Sequence, residues 1–225
     1  MYARFFKRFF DFILSLLAII VLSPLLLILT ILGAIFMQGN PFFTQERPGK
    51  NEKIFNVIKF RTMDNRKDKN GKLLPDEVRL NKYGRFLRST SLDELPSLWN
   101  ILCGDLAIVG PRPQLVRDMV FMTDLQRKRH TVRPGLTGLA QVSGRNNITW
   151  EQKFEYDLQY IENITMWEDI KIIFKTAFKV LKREDTVREG TSSDIDFGDW
   201  LLQEGKVDED LYNSKQLEAR ELLRR

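Results

Sequence analysis

The chain has 225 residues, enough for one domain that buries a core, or for one domain with an appendage. Charged residues make up 29% and aromatic residues 11%, which excludes wholesale disorder; the single cysteine, Cys103, excludes an intrachain disulfide and, taken alone, a cysteine metal cluster. The net charge of +5 conceals an asymmetry, because residues 184–225 carry twelve acids and six bases and leave 29 bases and 18 acids to the first 183, a basic body suited to a polyanionic partner and an acidic tail that is not.

Residues 12–37 contain no charge. As a straight helix they would reach roughly 39 Å, enough to cross a hydrocarbon core of about 30 Å. The run is too long for a signal-peptide core, and no small-residue cleavage site follows it. Ser23-Pro24 stands at its middle, where Pro24 cannot donate to the Ile20 carbonyl; the Ser23 hydroxyl could serve that carbonyl instead. Arg4, Lys7 and Arg8 precede the run, and Arg47, Lys50 and Lys53 follow it, so positive-inside reasoning would place both flanks in the cytoplasm. A spanning helix and one that enters, breaks and returns both remain open on these residues.

Next, Phe42 to Gln45 reads as a strand, Arg47-Pro48-Gly49 as a turn, and Ile54 to Thr62 as a second strand, together a β-hairpin. The polar segment DNRKDKNGKLLPD is a loop with a turn at Asn70-Gly71, a candidate substrate lid. Asp76 to Arg88 has helical periodicity, and Ser91 opens another helix running to about Leu102. Residues 151–163 and 166–182 are two further helices. The second carries Trp167, Ile170, Phe174, Ala177, Phe178 and Leu181 on one broad face and Lys171, Lys175, Lys179 and Lys182 on another, the pattern of a helix lying on an anionic membrane, with an ordinary surface helix as the alternative. Residues 209–225 suit a last short amphipathic helix.

Chemistry is concentrated at Asp93-Glu94. Ser91 and Glu94 match a capping box, and Asp93 at a helix start is favoured by the dipole, so the dyad alone favours a cap. The same surroundings would keep Asp93 ionised, and an aspartate can attack phosphorus to form an acyl phosphate. Basic residues shift the balance. Lys59 and Arg61 end a strand, Arg88 lies just before the dyad, and Gly110-Pro111-Arg112-Pro113, Arg133-Pro134-Gly135 and Gly144-Arg145-Asn146 present guanidinium groups braced by Pro or Gly. Their planar forks match phosphate oxygens. No P-loop is present. His130 is the only histidine, and Lys128 and Arg129 beside it suggest a solvated position. Asp194-Ile195-Asp196 matches a D-x-D metal motif but sits in the acidic tail without a preceding strand, as a chance match would. No aromatic nucleic-acid signature accompanies the basic body, so nucleic acid is not an expected partner.

Taken in order, FKRFFDFILSL with Ser23-Pro24, FTQERPG, IKFRTM, LLPDEVRL, STSLDELPSLWNIL, GDLAIVGPRP, RPGLTGLAQVSGRN and KFEYDLQYIEN resemble the small monotopic phosphoglycosyl transferases, a bacterial sugar transferase family, over about Tyr2 to Arg183. The resemblance implies a re-entrant helix bent at Ser23 and Pro24, and a protein confined to the cytoplasmic face of the bacterial inner membrane. It implies that Asp93 attacks the β-phosphorus of a UDP-sugar with loss of UMP, and that polyprenol (undecaprenyl) phosphate then takes the phosphosugar. Mg²⁺ is the implied cofactor, with Asp93 beside it. Glu94 would assist Asp93 or activate the lipid phosphate; Lys59, Arg88, Arg112 and Arg145 would hold phosphates, with Asp157 as a weaker candidate.

The expected fold is α+β and mostly helical: a re-entrant membrane helix with its flank (1–40), a small globular catalytic domain with a β-hairpin and surface amphipathic helices (41–183), and an acidic extension (184–225). Anionic lipids are expected partners, and a homo-oligomer is compatible with the chain. A catalytically silent membrane scaffold is the competing reading, and the intact dyad argues against it. One departure from the family pattern stands out: QLVRDMVFMTD follows the GPRP turn where an apolar, Leu- and Tyr-bearing run is more usual. The acidic tail lies outside the resemblance, with the membrane-distal face or another subunit as its expected contact.

Overall fold

The computed structural model describes residues 1–144, 148–182 and 195–224, with Arg4 described by its backbone only. The expected mostly helical α+β architecture is present. A single π-helical turn leads into α1 (Lys7–Phe36), which is long and apolar enough to cross a membrane by length and composition. The sequence suggested a break at Ser23-Pro24, yet α1 is one uninterrupted helix. The reason is local: Ser23 Oγ donates to the Ile20 carbonyl at 2.8 Å, replacing the amide that Pro24 lacks.

One stripe of α1 faces the rest of the chain along its length. Asp11, Ser15, Leu29 and Gly33 are buried at helical spacing. Ala18, Ile19 and Leu22 pack against Phe55, Val57, Leu98 and Ile101, and Leu25 and Leu26 against Phe60, Tyr83 and Leu87. Polar contacts pin both ends. Arg8 donates to the carbonyls of Ile101 (2.5 Å) and Leu102 (2.8 Å), Asp11 accepts from the Ile108 amide (3.1 Å), and Tyr83 OH donates to the Leu29 carbonyl (2.7 Å). The opposite side, with Leu17, Ile20, Val21, Leu27, Ile28, Ile31 and Ile35, is exposed.

β1 (Phe42–Pro48) and β2 (Ile54–Phe60) form the expected antiparallel hairpin, with Phe42 opposite Phe60 and Pro48 opposite Ile54. Arg47 and Pro48 belong to the strand, and the reversal lies at Gly49–Lys53, where Asn51 and Glu52 have positive φ. The other edge of β2 is used by α4 (Ser97–Cys103): Asn100 accepts from the Ile58 amide and donates to the Asn56 carbonyl, and Ser97 donates to the Ile58 carbonyl.

The single helix expected over 76–88 is two, α2 (Asp76–Arg79) and α3 (Lys82–Thr90). Leu80 is extended and bridges Met63, and the Asn81 side chain caps α3 by accepting from the Gly84 amide. The helix expected from Ser91 begins only at Ser97. Ser91 is left-handed (φ 55°) and makes no side-chain cap; a 3₁₀ turn over Leu92–Glu94 carries the dyad.

A second small sheet, not anticipated, pairs β3 (Ala107–Val109) in parallel with β4 (Gly135–Thr137). The crossover holds α5 (Val116–Met119) and α6 (Asp124–Arg127). After α7 (Leu139–Ser143) come α8 (Trp150–Glu162) and α9 (Met166–Lys182), within a residue of their expected bounds. Asp169 and Ile172 form the buried face of α9, while Trp167, Phe174, Phe178 and Leu181 are 57–83% exposed. The apolar stripe read from the sequence therefore does not pack on the core as in an ordinary surface helix. The acidic extension contributes α10 (Phe197–Gln203) and α11 (Glu209–Leu222), which pack on the body beside α5.

Candidate active site

The dyad is placed by β2 and by the 3₁₀ turn that precedes α4. Because α4 is stitched to the free edge of β2, Lys59 on that strand is brought to Glu94. Lys59 Nζ donates to Glu94 Oε1 at 2.7 Å, and Arg112 Nη2 donates to the same oxygen at 3.0 Å. Glu94 is therefore not the reciprocal member of a capping box. A left-handed Ser91 cannot act as the ordinary N-cap, and the Glu94 carboxylate is drawn to two cations instead.

Arg88, in the last turn of α3, donates from Nε to Thr62 Oγ1 at 3.0 Å. This needs a close approach of α3 to the strand end: a Cβ at Gly84 would lie 1.8 Å from the Thr62 carbonyl oxygen, so only glycine fits. Arg88 is half-buried, and burial lowers its pKa while the charge of Asp93 opposes that effect.

Arg112 extends from the Gly110–Pro113 turn at the end of β3. The turn is held by backbone bonds to β4, Gly110 N to the Thr137 carbonyl and Gly135 N to the Pro111 carbonyl, both 2.9 Å. From below, Arg129 Nη2 donates to the Arg112 carbonyl at 2.6 Å. His130 is buried, not in the solvated position that Lys128 and Arg129 suggested, and Arg129 is buried too. The Arg129 charge is matched by Asp157, which accepts from Nε (2.9 Å) and Nη2 (2.6 Å). Asp157 is only 3% exposed, and its described bonds are to Arg129. The structure thus places this predicted phosphate ligand under the Arg112 turn, not beside the dyad; a buried carboxylate on the apolar face of α8 requires a cation. That requirement is the sequence signal that points to Arg129.

Lys59, Arg88, Asp93, Glu94 and Arg112 are brought together. Arg145 and Asp194 lie outside the described residues. Asp196 pairs with Arg117 at 3.4 Å, and Arg133 donates to the Gly104 carbonyl, both away from the dyad. Arg61 donates to the Phe42 carbonyl.

The two carboxylates are driven apart electrostatically. Burial pushes Asp93 up, and the Glu94 charge adds to it, against Lys59, Arg88 and Arg112. Burial also pushes Glu94 up, but Arg112 and Lys59 outweigh it and hold Glu94 well below the usual carboxylate range. Among the described residues no group of three or more His, Cys, Asp or Glu could hold a metal. The dyad offers two adjacent carboxylates, the donor set of a hard cation that completes its shell with phosphate and water. Directly after Glu94, Leu95 and Pro96 open on an apolar cavity of about 420 Å³, lined also by Ile19, Leu26, Phe60 and Trp99.

Comparison with known proteins gives the family. The family described as bacterial sugar transferase matches residues 2–183. The chain is 47% identical over 179 residues to an uncharacterized sugar transferase, EpsL, of Bacillus subtilis, covering 79% of this chain and 88% of that one. It is 42% identical over 184 residues to a UDP-glucose:undecaprenyl-phosphate glucose-1-phosphate transferase of Klebsiella pneumoniae, covering 77% of this chain and 40% of that one. It is 37% identical over 201 residues to an undecaprenyl-phosphate galactose phosphotransferase of Salmonella typhimurium, covering 81% of this chain and 42% of that one. The chain thus spans nearly all of the first relative and less than half of the other two. With most of its length matched by the family and its dyad and basic residues gathered at one site, the chain belongs to the bacterial sugar transferases.

Proposed function

We propose that this protein transfers a sugar-1-phosphate from a UDP-sugar to polyprenol phosphate through a phosphosugar carried on Asp93. The observation that carries the reading is the asymmetry of the dyad. Glu94 is engaged by Lys59 and Arg112, while the Asp93 carboxylate stands beside three cationic groups next to an apolar cavity. In the first step an Asp93 oxygen attacks the β-phosphorus, and the bond from that phosphorus to the bridging oxygen breaks. UMP departs with the electron pair, leaving an acyl phosphate on Asp93. In the second step a phosphate oxygen of the lipid attacks the same phosphorus. The Asp93 carboxylate is released, and the product is polyprenol diphosphate-sugar.

Lys59, Arg88 and Arg112 stabilise the charge on the displaced phosphoryl group, and Glu94 orients two of those cations. Mg²⁺ would be held at Asp93 with the substrate phosphates and would neutralise charge there. The apolar cavity would receive the start of the lipid chain. The names of the relatives include both glucose and galactose transfer, so the reading extends to the reaction and not to the sugar.

Membrane placement follows the same reading. Both ends of α1 are tied to one charged body, through Arg8 and Asp11 at one end and Leu29 and Gly33 at the other, which supports both flanks in the cytoplasm and a re-entrant α1 that would bend at Pro24 while staying helical, with the Ser23 bond to Ile20 bridging the bend. The exposed Trp167, Phe174, Phe178 and Leu181 of α9, with Lys171 and Lys175 beside them, fit an anionic bilayer surface.

The deciding experiment is purified full-length protein with undecaprenyl phosphate, Mg²⁺ and a panel of UDP-sugars, read by UMP release. Release limited to about one UMP per protein without lipid, and continuous release with lipid and one sugar, is expected. No release from any UDP-sugar under conditions where the protein is folded would overturn the reading.

A further inference from the structure

We propose that α10 and α11 brace the arginine turn from behind, with Arg117 and Phe197 as positioning residues for Arg112; the proposal rests on the transferase reading above. It joins two features left over from the sequence, the unusual run after the GPRP turn and the acidic extension beyond the family match. Each turns out to be the other's contact surface.

α5 begins four residues after Arg112 and is itself only four residues long. A helix so short has no stability of its own and persists only through packing. Val116, Met119 and Val120 are 1–3% exposed, and Ala219 of α11 completes their cluster with Leu222 against it. The polar residues of α5 are claimed as well. Arg117 Nη2 donates to Asp199 Oδ1 at 2.6 Å and to Tyr212 OH at 2.8 Å, and Nη1 lies 3.4 Å from Asp196. Asp118, 1% exposed, accepts from the Gly198 amide at 3.2 Å. The seat is tight: a Cβ at Gly198 would come within 2.6 Å of the Phe121 ring.

A second path reaches the same turn. Phe197 packs edge-on against Phe154 with ring centroids 5.0 Å apart. Phe154 lies under the Arg129 guanidinium at 5.7 Å, and Arg129 holds the Arg112 carbonyl. Arg47 adds a third support, donating to the Pro113 carbonyl at 3.2 Å. Pro111 and Pro113 make the turn stiff, so fixing what lies behind it fixes the direction of Arg112 toward Glu94. Arg117 and Asp118 thus stand where an apolar run is more usual because here the covering element is an acidic pair of helices.

The test is a double-mutant cycle on full-length protein, with wild type, Arg117→Ala, Arg112→Ala and the double variant compared by kcat/KM for UMP release. Arg117→Ala should lower kcat/KM by about fivefold or more in the wild-type background and by less than about twofold once Arg112 is absent. Equal losses in the two backgrounds would mean that the extension merely stabilises the fold, and the proposal would fall. If Arg117→Ala does not fold, Phe197→Leu runs the same cycle, since it keeps most of the buried volume and removes the ring contact. Hydrogen exchange of residues 107–119 gives a readout that needs no activity. Faster exchange at residues 110–119 is expected in either variant, and unchanged exchange would overturn the brace. A wild-type protein that releases no UMP would sink the transferase reading, while the exchange result would still decide whether the extension holds the turn.

Discussion

Lys59 and Glu94, 35 positions apart, meet at 2.7 Å, and Arg112 reaches the same Glu94 oxygen. Glu94 is thereby a junction between the hairpin, the dyad turn and the arginine turn. Glu94→Gln should release two cations from their shared anchor and lower UMP formation by about a hundredfold or more in protein that still folds. Near-normal turnover would show that the two cations do not need Glu94 to be placed.

Asp93→Asn tests the nucleophile. An amide fits the 3₁₀ turn but supplies no attacking oxyanion, so turnover should fall by about a thousandfold or more while the fold is kept. With UDP-sugar and no lipid acceptor, intact mass measurement should show a phosphosugar adduct on wild type and none on the variant. Substantial UMP release by well-folded Asp93→Asn protein would sink the covalent route.

Arg112 is exposed and offers a fork to phosphate from a stiff turn. Arg112→Lys should be within about threefold of Arg112→Ala in kcat/KM, because a point charge does not reproduce paired donors in one plane. Near-normal activity in Arg112→Lys would mean that charge alone matters there.

His130 makes stability depend on pH. Burial, with the Arg129 charge beside it, pushes its imidazole down to about 4 from an ordinary 6.5, against the hydrogen bond to Glu52. Between those values the unfolded chain binds the extra proton. The contribution is therefore complete above 6.5 and is lost as pH falls toward 4. Urea unfolding at about pH 7 and about pH 5 should show wild type losing about 1–2 kcal/mol more than His130→Gln. Arg127 is the main cause that holds the Glu52 carboxyl down and is present in both proteins, so the difference reports chiefly the histidine. Parallel losses would show that His130 is not buried in its neutral form.

The topology of α1 is tested by cysteine labelling in intact cells on a Cys103→Ser background, since Cys103 is exposed. Ala3→Cys and Lys53→Cys are exposed probes on the two flanks, and neither replaces a residue that anchors the helix. Both should resist a membrane-impermeant thiol reagent until lysis. Labelling of Ala3→Cys alone in intact cells would mean that the segment spans. Pro24→Ala restores a backbone N–H that donates a hydrogen bond to the Ile20 carbonyl and should shift the pattern toward spanning. A pattern unchanged by that substitution would assign the re-entrant state to the contacts of Arg8, Asp11 and Leu29.

What the sequence determined by itself was whatever depends on neighbours along the chain. The uncharged run, the hairpin, α8 and α9 were legible because periodicity and turn residues act within a few positions. The bond from Ser23 to Ile20 was legible for the same reason. The dyad and three basic residues now seen beside it, Lys59, Arg88 and Arg112, were found through a resemblance carried by short ordered strings. Tertiary structure decided everything that required distant partners. A local rule made Glu94 a cap, but two cations from other elements pull harder than a 3₁₀ turn with a left-handed Ser91. Charged neighbours made His130 look solvated, but it is buried against Glu52, 78 positions away, and the Arg129 charge beside it is compensated inside the protein by Asp157, 28 positions away. β3 and β4 were illegible because three-residue strands have too little pattern to detect, and their pairing comes from a crossover. The acidic extension was expected on the membrane-distal face or another subunit, and its contact with α5 of the same chain appeared only with the tertiary structure: burial of a charged residue is set by what faces it, and that is not written in its neighbours.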